Sequence, residues 1–156
     1  MKTYSLATRK IFSYLMENGF NPKFEDGCII FDIDETTSIL EYDDGILTLR
    51  TFFTIEEEEY DMFLEASNLA MLKSTMMKAV IIEDMNSIMF SCETYCDSVS
   101  DFKRYFPKML ESSRKGIKIH KTQMKELIRA SELASRKMPA TDELIGTGIS
   151  RGKPLS

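Results

Sequence analysis

Between Cys28 and Phe53 the chain alternates apolar and polar residues, and the alternating runs are separated by only a few residues. Ile29, Phe31 and Ile33 fall on one face of a strand, with Asp32 and Asp34 on the other. Thr36 to Tyr42 is rich in β-branched and aromatic residues. Asp43-Asp44-Gly45 then supplies a turn in which Gly takes positive φ, and Ile46 to Phe53 continues as a third strand. A parallel pair needs a crossover of about a dozen residues, and these connections are far shorter. The segment therefore has to be an antiparallel meander.

Helical periodicity flanks it. Tyr4, Ala7, Ile11, Tyr14 and Leu15 recur at spacings of three and four, and Asn18-Gly19-Phe20 followed by Pro22 marks a helix end. A second helix is expected from Thr54, where Thr54 and Glu57 fit a capping box and Glu56 to Glu59 suit the helix dipole. Its inward stripe reads as Tyr60, Phe63, Leu64, Ser67 and Met71. Met77 to Glu83 and Ser87 to Glu93 form a hairpin around Asp84-Met85-Asn86. A last helix starts near Ser98 or Ser100, with Val99, Phe102, Tyr105, Phe106, Met109 and Leu110 on one side. Pro107 either kinks it or places its start a turn later. From about Ala130 the periodicity fades, and Gly146, Gly148, Gly152 and Pro154 suggest a mobile tail.

The expected fold is α+β, in the order α-β-β-β-α-β-β-α, with a mainly antiparallel five-stranded sheet packed by helices. Residues 1–126 form one domain and residues 127–156 a helix extension and flexible tail. At 156 residues the chain suits one core. No apolar run exceeds four residues, and Arg9 and Lys10 interrupt the start, so neither a membrane span nor an export signal is expected. A net charge of −5 speaks against nucleic acid, whose phosphates require concentrated positive charge.

One motif suggests chemistry. Ile29-Ile30-Phe31-Asp32-Ile33-Asp34-Glu35-Thr36 resembles the first motif of the haloacid dehalogenase superfamily, an apolar strand ending in Asp-x-Asp-x-Thr. The resemblance implies a Mg²⁺-dependent phosphatase in which Asp32 attacks phosphorus and Asp34 protonates the leaving group. That chemistry needs a parallel sheet, whereas the next segments here are a strand and a hairpin turn. Glu83-Asp84 follows too closely to allow the intervening parallel units. The favoured reading is a solvated strand end.

Cys28, Cys92, Cys96 and the single histidine, His120, could supply four zinc ligands, but no paired short spacing supports this. An odd cysteine count without an export signal suits reduced thiols in the cytoplasm. A Cys–His nucleophile is weaker still, with His120 expected on a basic, exposed part of the last helix. Asp32, Asp34, Glu35, Glu41, Asp43 and Asp44 concentrate acid near the first hairpins, while Lys115, Lys118, Lys121 and Lys125 make the late helix basic. Residues 127–156 carry +2, leaving −7 on residues 1–126. Solubility accounts for this layout, and a basic segment docking on the acidic edge is the sharper alternative. Eleven methionines suit core filling or a surface that accepts varied partners.

The first helix ending in Asn18-Gly19-Phe20, the meander turning on Asp-Asp-Gly, the helix carrying Glu65-Ala66-Ser67-Asn68 and the final helix with Asp101-Phe102-Lys103-Arg104-Tyr105 together resemble a known group. They are similar to the YbjN-like branch of the type III secretion chaperone-like (Tir chaperone-like) fold, over residues 4–126. The resemblance implies a small acidic domain, often a homodimer, with no cofactor and no catalytic residues of its own. The expected function is a non-enzymatic, cytoplasmic module that binds a protein or peptide client. A compatible expectation follows from a single five-stranded sheet, which leaves two edges and one face for two or three helices to cover incompletely, and so a surface for a symmetric dimer or an added peptide strand.

Overall fold

A computed structural model describes residues 5–137. The first helix, α1, spans Leu6–Glu17, with the Ser5 side chain accepting from the Thr8 amide at its start. Its end is a Schellman motif. Gly19 has φ +81°, its amide donates to Met16, and the Phe20 amide donates to Leu15 at 3.0 Å.

Four strands follow: β1 (Lys23–Glu25), β2 (Cys28–Ile33), β3 (Thr36–Asp43) and β4 (Ile46–Thr54). Three successive two-residue turns join them, at Asp26-Gly27, Asp34-Glu35 and Asp44-Gly45. All six turn residues have positive φ, the signature of type I′ hairpins whose twist matches the strands. A single 3-10 turn (Glu57–Glu59) leads to α2 (Tyr60–Lys73). Then come β5 (Met77–Ile82), a second 3-10 turn (Glu83–Met85), β6 (Ser87–Tyr95) and α3 (Val99–Lys137). The sheet is antiparallel throughout, in the order β1-β2-β3-β4-β6-β5.

The α+β class and antiparallel sheet agree with expectation, but the described residues form six strands rather than five. The added strand, β1, pairs Phe24 with Ile29. The capping box at Thr54 does not form. Thr54 closes β4 opposite Ser87, and the Ile55 amide continues the ladder to the Asn86 carbonyl at 2.8 Å. Non-local pairing thus displaces the helix start to Tyr60. The buried stripe of α2 is Phe63, Ala66, Ser67 and Ala70, while Leu64 points outward and is 46% exposed. Pro107 lies well inside α3, which leaves the Lys103 carbonyl without its usual amide partner. The helix continues past Ala130 to Lys137, and the glycines of the expected tail lie outside the described residues.

Directly opposed residues on antiparallel strands share a face, so the register sorts the sheet into two surfaces. One carries Ile29, Leu40, Leu49, Cys92 and Met77 in one row, and Phe31, Ser38, Thr51, Phe90 and Ala79 in the next. All three helices pack on it. Phe106 of α3 meets Phe31 at 5.9 Å between ring centroids and Phe20 at 5.8 Å, Tyr14 of α1 packs edge-on against Phe102 and Phe106, and Phe12 stacks on Phe24 at 4.3 Å. Farther along, His120 of α3 lies 5.1 Å from both Phe63 of α2 and Phe90 of β6. Within this core the Ser38 and Thr51 hydroxyls hydrogen-bond to each other at 2.9 Å, which satisfies two buried polar groups. Gly116 of α3 packs tightly against β5, where a Cβ would run into the Met77 side chain.

Candidate functional site

The Asp-x-Asp motif lands at the end of an antiparallel hairpin. Asp32 pairs across to Thr37, whose hydroxyl donates to it at 3.3 Å, and Asp32 belongs to the sheet face away from the helices. Asp34 and Glu35 are the two turn residues, with φ of +49° and +68°. Asp34 accepts from Arg114 Nε of α3 at 3.0 Å. The two carboxylates therefore stand on a solvated hairpin, not at the carboxyl end of a parallel strand where a phosphoryl group is held. The Asp34–Arg114 pair also shows that acid near the hairpins meets the basic late helix within the same chain.

The four candidate zinc ligands are not brought together. Cys28 sits on the face away from the helices, where its thiol donates to Glu41 at 3.8 Å. Cys92 is buried on the covered face beside the Ser113 hydroxyl at 3.3 Å, and burial pushes its thiol pKa up, away from the reactive thiolate. Cys96 lies in the loop after β6, its amide bound to the Gly45 carbonyl at 2.8 Å. Burial raises its pKa as well. No cluster of three or more His, Cys, Asp or Glu is placed to hold a metal among the described residues.

His120 departs from expectation. It is only 4% exposed and wedged between Phe63 and Phe90. Burial, with a smaller contribution from Lys121, lowers its pKa to about 4, so the imidazole is neutral at pH 7. Its Nε2 has no hydrogen-bond partner among the described residues. The sequence signal was available: His120 lies four residues beyond Gly116 and four before Met124, and the same stripe includes buried Ser113, Met109 and Phe106. The neighbouring lysines obscured it.

The second sheet face offers a different surface. Ile30, Ile39, Arg50, Ser91 and Lys78 form one row across five strands, and Phe52, Met89 and Val80 form another. Ile46 and Tyr95 oppose each other near the β4–β6 end, with Ile46 40% and Tyr95 79% exposed. Val80 is 39% exposed. Two ion pairs cross the same face, Arg50–Glu41 and Lys78–Glu93, both at 3.3 Å. Apolar side chains framed by charged ones make this a surface of mixed character. At its margin β5 is an edge strand, paired among the described residues with β6 alone.

No family model matches the chain, and no curated protein resembles it in sequence. Solved structures do resemble it in fold. YbjN of E. coli, described as a proposed transcription regulator, superposes with a TM-score of 0.60 at 10% identity, over 76% of this chain and 92% of that one. A protein from Methanothermobacter thermautotrophicus, described as uncharacterized, superposes with a TM-score of 0.52 at 13% identity, over 81% of this chain and 99% of that one. The fold is thus YbjN-like. None of the described helices is long and apolar enough to cross a membrane.

Proposed function

We propose that this chain is a non-enzymatic protein-binding module that works through the sheet face its helices leave bare, with a second copy of itself as the first occupant. The observation that carries this reading is the row Phe52–Met89–Val80, adjoining Ile30 and Ile39, on a face opposite the entire helical layer. Apolar anchors there supply affinity, and the Arg50–Glu41 and Lys78–Glu93 pairs orient the partner. A symmetric dimer uses one self-complementary patch on both copies, and a peptide can instead extend the sheet along β5. A client chaperone role of the secretion type belongs to the same reading and rests on the same surface. The net charge of −5 favours a protein partner over nucleic acid.

The reading is tested by light scattering across a concentration series. It predicts a mass of two chains that falls toward one on dilution. A strict monomer at every concentration, with no polypeptide co-purifying, refutes it.

A further inference from the structure

The helical side of the sheet carries a second surface, independent of the bare face. Between Ser112 and Lys125, α3 holds five cations, Arg114, Lys115, Lys118, Lys121 and Lys125, and no Asp or Glu, in a protein whose net charge is −5. Arg114, Lys118, Lys121 and Lys125 are spaced four, three and four apart, which places them within about 60° of arc on one helical face. Like charges three or four residues apart on a helix repel, so the stripe weakens the element that carries it. A solvated face ordinarily mixes both signs instead.

The same four side chains border one groove of about 430 Å³ between α3 and the β2–β3 turn, with buried Ile33 and Thr51 among its walls. The acid that borders it, Asp34, is already engaged by Arg114 at 3.0 Å. Lys118, Lys121 and Lys125 make no ion pair among the described residues. Lys121 Nζ lies 4.9 Å from the Phe53 ring centroid, a contact that leaves its charge uncancelled. Three unpaired cations therefore line one concave strip of an acidic protein.

We propose that this groove binds an extended acidic segment of a partner protein, with carboxylates at alternate positions meeting Lys118, Lys121 and Lys125. Arg114 to Lys125 covers roughly 16 Å of helix, the length of about five residues of extended chain. Alternate side chains of such a chain stand about 6.6 Å apart on one side, against lysine rises of about 4.5 and 6 Å, a mismatch that the flexible four-carbon stems absorb. Nucleic acid suits the groove less well. None of its lining residues is aromatic, so bases have nothing to stack on. Glu35, next to Asp34 in the turn, and Glu59, which borders the adjoining cavity with Lys125, oppose a polyanion longer than the strip.

The test is fluorescence anisotropy of the full chain with three labelled probes: the peptide Gly-Glu-Ser-Glu-Ser-Glu-Gly, its counterpart with Gln in place of each Glu, and hexathymidylate. The expected result is saturable binding of the acidic peptide that weakens as salt is added, with the Gln peptide and the oligonucleotide each about tenfold weaker or worse. Combined Lys118→Gln, Lys121→Gln and Lys125→Gln should weaken the acidic peptide about tenfold, the sum of three modest exposed charge pairings. Combined Lys103→Gln, Lys108→Gln and Lys115→Gln removes the same charge from α3 away from the groove and should leave binding within about twofold. All six lysines are exposed, and the comparison of probes is made on the unaltered protein, so it stands whatever the variants do. Absence of saturable binding, equal affinity for the Gln peptide, tighter binding of hexathymidylate, or equal losses in the two triple variants each overturns the proposal.

Discussion

Neighbouring residues of one strand face opposite fates in this molecule. Phe90 and Met89 are adjacent on β6. Phe90 is buried beneath His120 and Phe53, while Met89 lies on the bare face between Phe52 and Val80. The covered face is closed by interlocked rings from α1, β2 and α3. The bare face mixes aliphatic and aromatic side chains with two ion pairs and, among the described residues, no helix. Stability should therefore live on one face and association on the other, although every strand contributes to both.

The largest effect expected on that contrast is Phe106→Ala. Phe106 touches Phe20, Phe31, Phe102 and Tyr14, so truncation removes the ring joining three elements. A loss of about 3–5 kcal/mol is expected in urea or guanidinium unfolding. Gly116→Val comes next. The added atoms collide with Met77 and approach Ser74, and overpacking of this kind costs about 1–3 kcal/mol, visible as a lower Tm.

A pH series sharpens the covered side further. His120 is held near a pKa of about 4 in the folded protein, against 6.5 for an ordinary histidine. The unfolded chain therefore binds the proton first, and stability falls as pH drops from about 6.5 to about 4, then ceases to change on this account. Wild type should lose more stability over that window than His120→Phe does, as read by denaturation at stepped pH. The smallest effect on stability belongs to the bare face. Phe52→Ser should shift unfolding by less than about 1 kcal/mol while lowering the fraction of dimer in light scattering. A variant that loses stability like Phe106→Ala would erase the distinction between the faces.

The legible parts of this fold are those with strong local signals. The meander could be read because alternation and the Asp-Asp-Gly turn specify strands and hairpin within a few residues. Strand β1 escaped because it is three residues long with one apolar side chain, Phe24, although Asp26-Gly27 is itself a hairpin signal. Thr54 and Glu57 satisfied a helix-start pattern, but the ladder partner that overrides it, Ser87, is over thirty residues away in sequence. The stripe of α2 was displaced for a related reason: Ala66 and Ala70 are buried because small side chains let the helix approach, and size reads weakly as periodicity. The candidate site was less legible still. Alternation shows that a strand has two faces, but which one the helices choose depends on the whole topology, and His120 was masked by the lysines around it.

The account stands or falls on which surface meets the partner. Cross-saturation between unlabelled chains and deuterated, isotope-labelled chains reads this directly. Irradiating the unlabelled copy should attenuate signals of Ile30, Ile39, Phe52, Val80 and Met89 in the labelled one, and leave the exposed side of α3 untouched. Attenuation confined to α3, where Leu133 is 45% exposed, or no attenuation at concentrations where two chains associate, would contradict it.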